Sequence, residues 1–457
     1  MKLENNLGSD PIKKLVPRLA VPAMLAQFVS VLYSVVDRMY IGNIPGDGAL
    51  ALAGVGICSP IVTMISAFSY WAGIGGGPLM SIKLGEKNQD AARKILANSF
   101  MLLCIMSAAV MAASFLLKDS LLWWFGATEA NFSYAQDYMA VYLCGTVFAI
   151  LSVGLNNFIT CQGFARTAMC SVVLGAAANI ILDPVFIFIF DMGVSGAAFA
   201  TVLSQLASCL FTLRFLFGKK VPVKITFKGY DWKICRSILT VGLTPFLIIL
   251  FDNVLIIALN MVLQRYGGSQ SDALLTCNAI VQSLMLVITM PLGGISTGTQ
   301  TILGYNYGAN RPDRVLEGEK QIVKACVLFT VVMFVLAQTC SRYFVQIFTQ
   351  DETYIEMSVR FIRIYTLGVI PLGVQYALVD GFTGMGIVKI AISLSFFRKL
   401  MYLALVVILP MTLGAANVFY AEAVSDVVPP MVTAAVYLFS IRKILNRRAE
   451  EARAAAG

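Results

Sequence analysis

Twelve apolar stretches, each about twenty residues or longer, follow one another along this chain. They fall at roughly 15–41, 49–77, 95–117, 134–160, 167–190, 194–217, 234–263, 273–300, 322–342, 357–384, 387–413 and 417–441. A run of that length is what an α-helix needs to cross a bilayer, where each backbone N–H and C=O must be satisfied within its own segment. Only 13% of the residues are charged and 58% are hydrophobic. A soluble protein is about one-quarter charged, so the expected fold class is an all-α polytopic membrane protein of twelve transmembrane helices.

Basic residues set the orientation. With the N-terminus inside, 26 of the 34 Lys and Arg fall in inner segments, and Arg38, Lys118, Arg265, Arg342, Arg360 and Arg363 fall at outer ends. Arg398 and Lys399 lie inside the eleventh span. The positive-inside rule then predicts two cytoplasmic termini in a multi-pass plasma-membrane protein. The formal charge of +9 is explained by these short loops, so no nucleic-acid partner is expected. Met1 to Pro11 shows no cleavable signal pattern, and the first span is expected to be retained.

The longest polar connection, near Gly218 to Trp232, separates six spans from six and suggests two domains, 1–222 and 223–457. A constant offset of 223 residues relates the halves, pairing Pro22 with Pro245, Gly85 with Gly308, Asp90 with Asp313 and Phe125 with Phe348. It also pairs Tyr142 with Tyr365, Gly145 with Gly368, Gly163 with Gly386 and Ala168 with Ala391. Six spans is an even number, so the repeats enter the membrane with the same polarity. Parallel repeats of this kind are typical of alternating-access transporters.

Polar groups inside spans mark the candidate site. In the first span Gln27, Ser30, Ser34 and Asp37 share one helical face, and an ionisable group there must face protein or water. In the fifth span Asn179 and Asp183 are i and i+4, followed by Pro184, which frees backbone carbonyls. At 1.5 Å per residue, Asp183 lies about 25 Å past Arg166 and Asp37 about 28 Å past Arg18, so the two carboxylates share a depth. Thr201 in the sixth span falls at a similar level, and Asn156 about 10 Å short of it. Asp37, Asn179, Asp183 and Thr201 offer hard oxygens for Na⁺, or two repelling carboxylates suited to H⁺. The alternative is that Asp37 pairs with Arg38 while Asp183 caps a kink.

Under the 223-residue offset Asp37 matches Asn260 and Asp183 matches Val406, so acids at these places are a specialisation of the first half. The second half carries Asp252, Asp380, Glu422 and Asp426 instead, the last two at i and i+4 and expected to pair with Arg398 or Lys399. Histidine is absent, which excludes His-based metal sites and triads, and the ten cysteines are scattered singly. Gly73-Ile74-Gly75-Gly76-Gly77-Pro78 lacks the Lys-Ser/Thr of a phosphate loop and reads as close helix packing or a hinge. A basic tail, Arg442 to Arg453, fits anionic headgroups.

Three segments resemble the multidrug and toxic compound extrusion (MATE) family of cation-coupled exporters: Val36-Asp37-Arg38-Met39-Tyr40-Ile41-Gly42, Asn179-Ile180-Ile181-Leu182-Asp183-Pro184, and Gly298 through Ala309. Thr301 stands where the family often has proline, and Thr160, Cys161 and Gln162 replace a usual basic–polar–acidic run. The resemblance runs over essentially the whole chain. It implies two six-helix lobes forming a V and export in exchange for Na⁺ or H⁺. Family residues carry over onto Asp37, Asn179, Asp183 and Thr201 as a first-lobe cation site, and onto Asn156. Some members use an acid in span seven, to which Asp252 is similar.

The expected function is therefore a secondary antiporter of amphipathic, often cationic organic compounds, working as a monomer with no cofactor beyond its coupling ion. Gln27, Ser34, Asn156, Asp252 and Asn260 are candidates for a substrate or second coupling site, and Asp37, Asn179 and Asp183 for direct Na⁺ ligation. A flippase of lipid-linked precursors is the nearest alternative and would need a cationic cavity. A membrane-embedded enzyme or receptor is the alternative of another class.

Overall fold

A computed structural model describes residues 4–46, 48–219 and 221–454 of the chain. The first half contains α1 (Ile12–Gly42), α2 (Gly48–Gly85), α3 (Gln89–Trp124), α4 (Phe132–Cys144), α5 (Thr146–Cys161), α6 (Ala165–Pro184) and α7 (Gly193–Phe217). The second contains α8 (Trp232–Tyr266), α9 (Ser271–Gly308), α10 (Pro312–Val345), α11 (Glu352–Tyr365), α12 (Val369–Gly384), α13 (Val388–Leu413), α14 (Tyr420–Ser425) and α15 (Val428–Ala454). Among the described residues eleven helices are long and apolar enough to cross a membrane, or twelve if the bent pair α4–α5 counts as one. The expected all-helical polytopic class is what the chain adopts.

The repeat is written in the backbone. Shifted by 223 residues, α2 and α5 coincide at both ends with α9 and α12. Left-handed conformations recur at the same offset: Lys87 with Asn310, Gly163 with Gly386, and Asp191 with Gly414. The span-four and span-ten breaks also match. α4 and α5 meet at Gly145 with a bend of 57°, and α11 and α12 meet through a 3-10 turn ending at Gly368. A Cβ on Gly145 would sit 2.5 Å from Val202, and one on Gly368 2.5 Å from Asp426. Glycine is required at each because the bend is pressed against the next helix.

Helix ends are fixed locally. Asn88 accepts from the Ala91 N–H at the start of α3, and Asp351 accepts from Thr353 at the start of α11. The glycine cluster of α2 is a contact surface rather than a loop. A Cβ on Gly73 would meet Gly154 of α5 at 2.6 Å, and one on Gly75 would meet the Ile238 carbonyl of α8 at 2.2 Å. Small residues let backbones approach where lipid supplies no hydrophobic drive between helices. Large side chains such as Leu116 and Phe439, 86% and 87% exposed, point outward as a bilayer solvent permits.

By contact the chain forms two compact units. One is Met1–Leu7 with Leu25–Ile249, and the other is Gly8–Met24 with Leu250–Gly457. The opening stretch of α1 therefore groups with the second unit and that of α8 with the first, apart from the rest of each helix. In the first unit the connection to α8 is packed down: Val221, Val223 and Ile225 are buried, and Asn98 holds the 229–231 backbone through Gly229 and Asp231. In the second, Arg311, just before α10, and Arg314 within it donate to the carbonyls of Gly8 and Asp10.

Candidate functional site

In the first unit, α1, α6 and α7 bring four polar side chains together in an otherwise apolar interior. Asn179 and Asp183 lie one turn apart on α6, so Asn179 Nδ2 donates to Asp183 Oδ1 at 3.0 Å. The same amide reaches Thr201 Oγ1 of α7 at 3.4 Å. Asp37 of α1 completes the group, its carboxyl within hydrogen-bonding reach of that of Asp183. Asp183 is fully buried and Asn179 is 1% exposed, whereas Asp37 and Thr201 are half-buried.

Two carboxyl groups in contact require something between them. At short range their mutual repulsion forbids double ionisation, and a shared proton or a cation resolves it. Capacity remains for either, because Asp37 Oδ1, Asp183 Oδ2 and Asn179 Oδ1 are buried without a hydrogen-bond partner. Arg38 acts on Asp37 from the exposed side of α1, and among the described residues it forms no ion pair. The backbone after Asp183 also departs from α-geometry. Pro184 cannot donate, and Val185–Ile189 forms a π-turn closed by Phe190 N–H to Val185 O at 2.9 Å.

Aromatic side chains wall the group. Tyr33, Tyr138 and Tyr142 cluster beside Asp37, with Tyr70 next to Tyr33. Tyr138 and Tyr142 stack with centroids 6.0 Å apart. The Tyr142 hydroxyl is in reach of Gln205 and Ser66. Sequence reasoning passed over these tyrosines and Gln205. The available signal was the pairing of Tyr142 with Tyr365 across the repeat, which kept a phenol in both halves where neighbouring positions had diverged.

The other candidates have partners or places of their own. Asn156 joins α5 to α6, donating to the Ala168 carbonyl at 2.9 Å and to Ser171 Oγ at 2.7 Å. Gln27 and Ser34 are half-buried on α1. Asn260 accepts from Asn278 at 3.1 Å. Asp252 is paired with Lys399, its side chain 41% exposed. Arg398 holds both Glu422, at 2.8 Å, and Asp426, at 2.6 Å. Both basic residues inside the eleventh span thus have acidic partners. Among the described residues no group of three or more His, Cys, Asp or Glu is placed to hold a metal.

Two copies of one membrane-length helix unit, one carrying a buried acid pair, define a repeat-built polytopic membrane protein of the transporter class. The profile of the MatE family matches twice, over residues 22–185 and 249–413. The chain belongs to this family of membrane transporters, which is one of multidrug exporters rather than enzymes. It is 24% identical over 382 residues to the multidrug export protein MepA of Staphylococcus aureus (strain NCTC 8325 / PS 47), covering 82% of this chain and 81% of that protein. The MepA protein of Staphylococcus haemolyticus is likewise 24% identical, over 376 residues. Among solved structures, an outward-facing multidrug resistance MATE family transporter of the MOP superfamily superposes with a TM-score of 0.89 at 24% identity, over 97% of this chain and 99% of that one. A MOP superfamily transporter from Pyrococcus furiosus, described as having a binding pocket of reversed polarity, superposes at 0.90 with 24% identity and the same coverage. These two likenesses are of fold.

Proposed function

We propose that this transporter is a cation-coupled antiporter that exports amphipathic, often cationic organic compounds. The coupling ion binds at Asp37 and Asp183, positioned by Asn179 and Thr201. The observation that carries this reading is the buried contact of two carboxyl groups with no basic ion-pair partner. Such a pair changes net charge when its ion is exchanged for substrate, and that is the differential interaction an antiporter needs. The contact favours H⁺, since a single proton joins two carboxyl groups without further ligands. Na⁺ remains the second ion to test, with the free Asn179 Oδ1 and Thr201 Oγ1 as added ligands.

The repeats 1–222 and 223–457 would act as the two lobes of an alternating-access cycle. Both termini are assigned to the cytoplasm of a plasma-membrane protein on the distribution of basic residues, and the working unit to a monomer in the bilayer. A lipid-linked precursor flippase is disfavoured because Arg398 and Lys399 are already engaged with acids.

Efflux of a fluorescent cationic dye from proteoliposomes, under a pH gradient and a Na⁺ gradient imposed separately, tests the reading. Movement with one gradient that is lost in Asp37→Asn is the expected result. Movement that persists in Asp37→Asn and Asp183→Asn would sink the coupling assignment.

A further inference from the structure

The second unit holds a buried acid that the exchange at Asp37 and Asp183 does not use. Glu319 lies seven residues past the start of α10, is 2% exposed, and has both carboxyl oxygens buried without a hydrogen-bond partner. Its neighbour is Asp380 of α12, four residues before the end of that helix. Asp380 in turn accepts from Ser296 Oγ of α9 at 2.5 Å. Three helices thus converge on two carboxyl groups and a hydroxyl.

The space for Glu319 is made by the absence of a side chain. A Cβ on Gly381 would lie 2.3 Å from Glu319 Oε2 and 2.9 Å from both Cδ and Oε1. Ala377 and Gly373, one and two turns earlier, continue the small face of α12, and Gly373 meets Cys326 and Thr330 of α10. Cys326 lies within electrostatic range of both acids and Tyr437 within range of Glu319, while Tyr376 lies within range of Asp380 and also of Arg398, Asp252 and Asp426. Among the described residues neither Glu319 nor Asp380 is in an ion pair with lysine or arginine.

A carboxylate cannot remain charged there without a partner, because desolvation of an isolated buried charge costs far more than a protein interior supplies. A metal ion would call for about six oxygen ligands, and two carboxyls with one hydroxyl fall short of that. A proton needs no more than the pair provides. We propose that Glu319 and Asp380 form a second proton-binding site, held closed by the Gly381 face of α12 and emptied when α12 parts from α10. The site is distinct from Asp37 and Asp183, and its existence does not depend on where transport is coupled.

Infrared difference spectroscopy of the purified protein in lipid, titrated from acid to alkaline pH, reads the C=O stretch of protonated carboxyls directly. The wild type should show a titrating band that is lost in Glu319→Gln, shifts its midpoint in Asp380→Asn, and persists in Asp37→Asn. Wild-type titration in a folded Glu319→Gln protein would overturn the proposal. Should Glu319→Gln fail to fold, Asp380→Asn decides: an unmoved midpoint overturns the proposal and a moved one supports it. Because dye efflux is read separately, loss of the Asp37 coupling assignment would leave this result standing.

Discussion

The two halves share a backbone and differ in what they bury. At the 223-residue offset the group Asp37, Asn179, Asp183 and Thr201 becomes Asn260, Tyr402, Val406 and Val424. In the first half, carboxyls face each other and amides, with no cation to neutralise them. In the second, Arg398 clamps Glu422 and Asp426, and Lys399 takes Asp252. Tyr142 and Tyr365 occupy equivalent places, yet the first adjoins Gln205 and Ser66 and the second Gln282, Tyr402 and Glu422. An ion-paired acid has its counter-charge built in and is structural. An acid pair without one must borrow its counter-charge from solution, which makes it responsive to ions.

That contrast breaks most readily at Asp183. Asp183→Asn should reduce gradient-driven efflux by about 100-fold, to background, while leaving the thermal melt within a degree or two of wild type, since asparagine keeps an oxygen to accept from Asn179 and relieves the repulsion with Asp37. If Asp252→Asn stops efflux and Asp183→Asn does not, the assignment of roles to the halves is reversed.

Asp426→Ala should show the opposite pattern. Removing one partner of a fully buried ion pair leaves Arg398 short of counter-charge and costs about 3–5 kcal/mol in stability, visible as a large fall in melting temperature in detergent. Asp183→Ala, in the first half, should cost much less. Tyr365→Phe comes next, with a loss of about 1 kcal/mol from its hydroxyl contacts, and Asp252→Asn below it, at about 1 kcal/mol or less, because that pair is partly exposed.

The smallest effect lies outside the spans. Burial pushes the carboxyl of Glu4 above its ordinary value, against the opposing pull of Arg166. A raised folded-state value means that the folded chain prefers Glu4 protonated. Its contribution is thus complete below the unfolded value and is lost as pH rises through the folded one. Glu4→Gln should leave stability unchanged at acid pH and raise it slightly at neutral pH, as read from melting curves at the two conditions.

Much of this was legible because membrane-length apolar runs leave little choice of fold. The membrane-length spans, the pairing of Gly145 with Gly368 across the repeat, and the fit of Arg398 to Glu422 and Asp426 all follow from spacing and charge. Helical rise also brought Asp37 level with Asp183, and kept Asn156 away from both. Asp252 showed its carboxylate but not its partner, since Lys399 lies 147 residues away and its direction on α13 depends on packing. Glu319 was hidden for a different reason. It sits near the start of α10 among Glu317, Lys320 and Lys324 and reads as part of a solvated charged turn. Its burial is set by Gly381, on a helix that no local pattern connects to it.

α1 and α8 each change unit part-way along, after Met24 and after Ile249, at nearly equivalent places in the repeat. Cutting the chain in its long polar connection would therefore yield two fragments that each lack the opening of a helix they pack around. A six-span ancestor of this kind would have lent the start of its first helix to a second copy and borrowed the same in return, which is domain swapping between identical subunits. Joining two such copies in one chain would turn an association that depended on concentration into an intramolecular one. The two copies now differ at matched places: Asp183 in the first half stands against Val406 in the second, and Gly175 against Arg398.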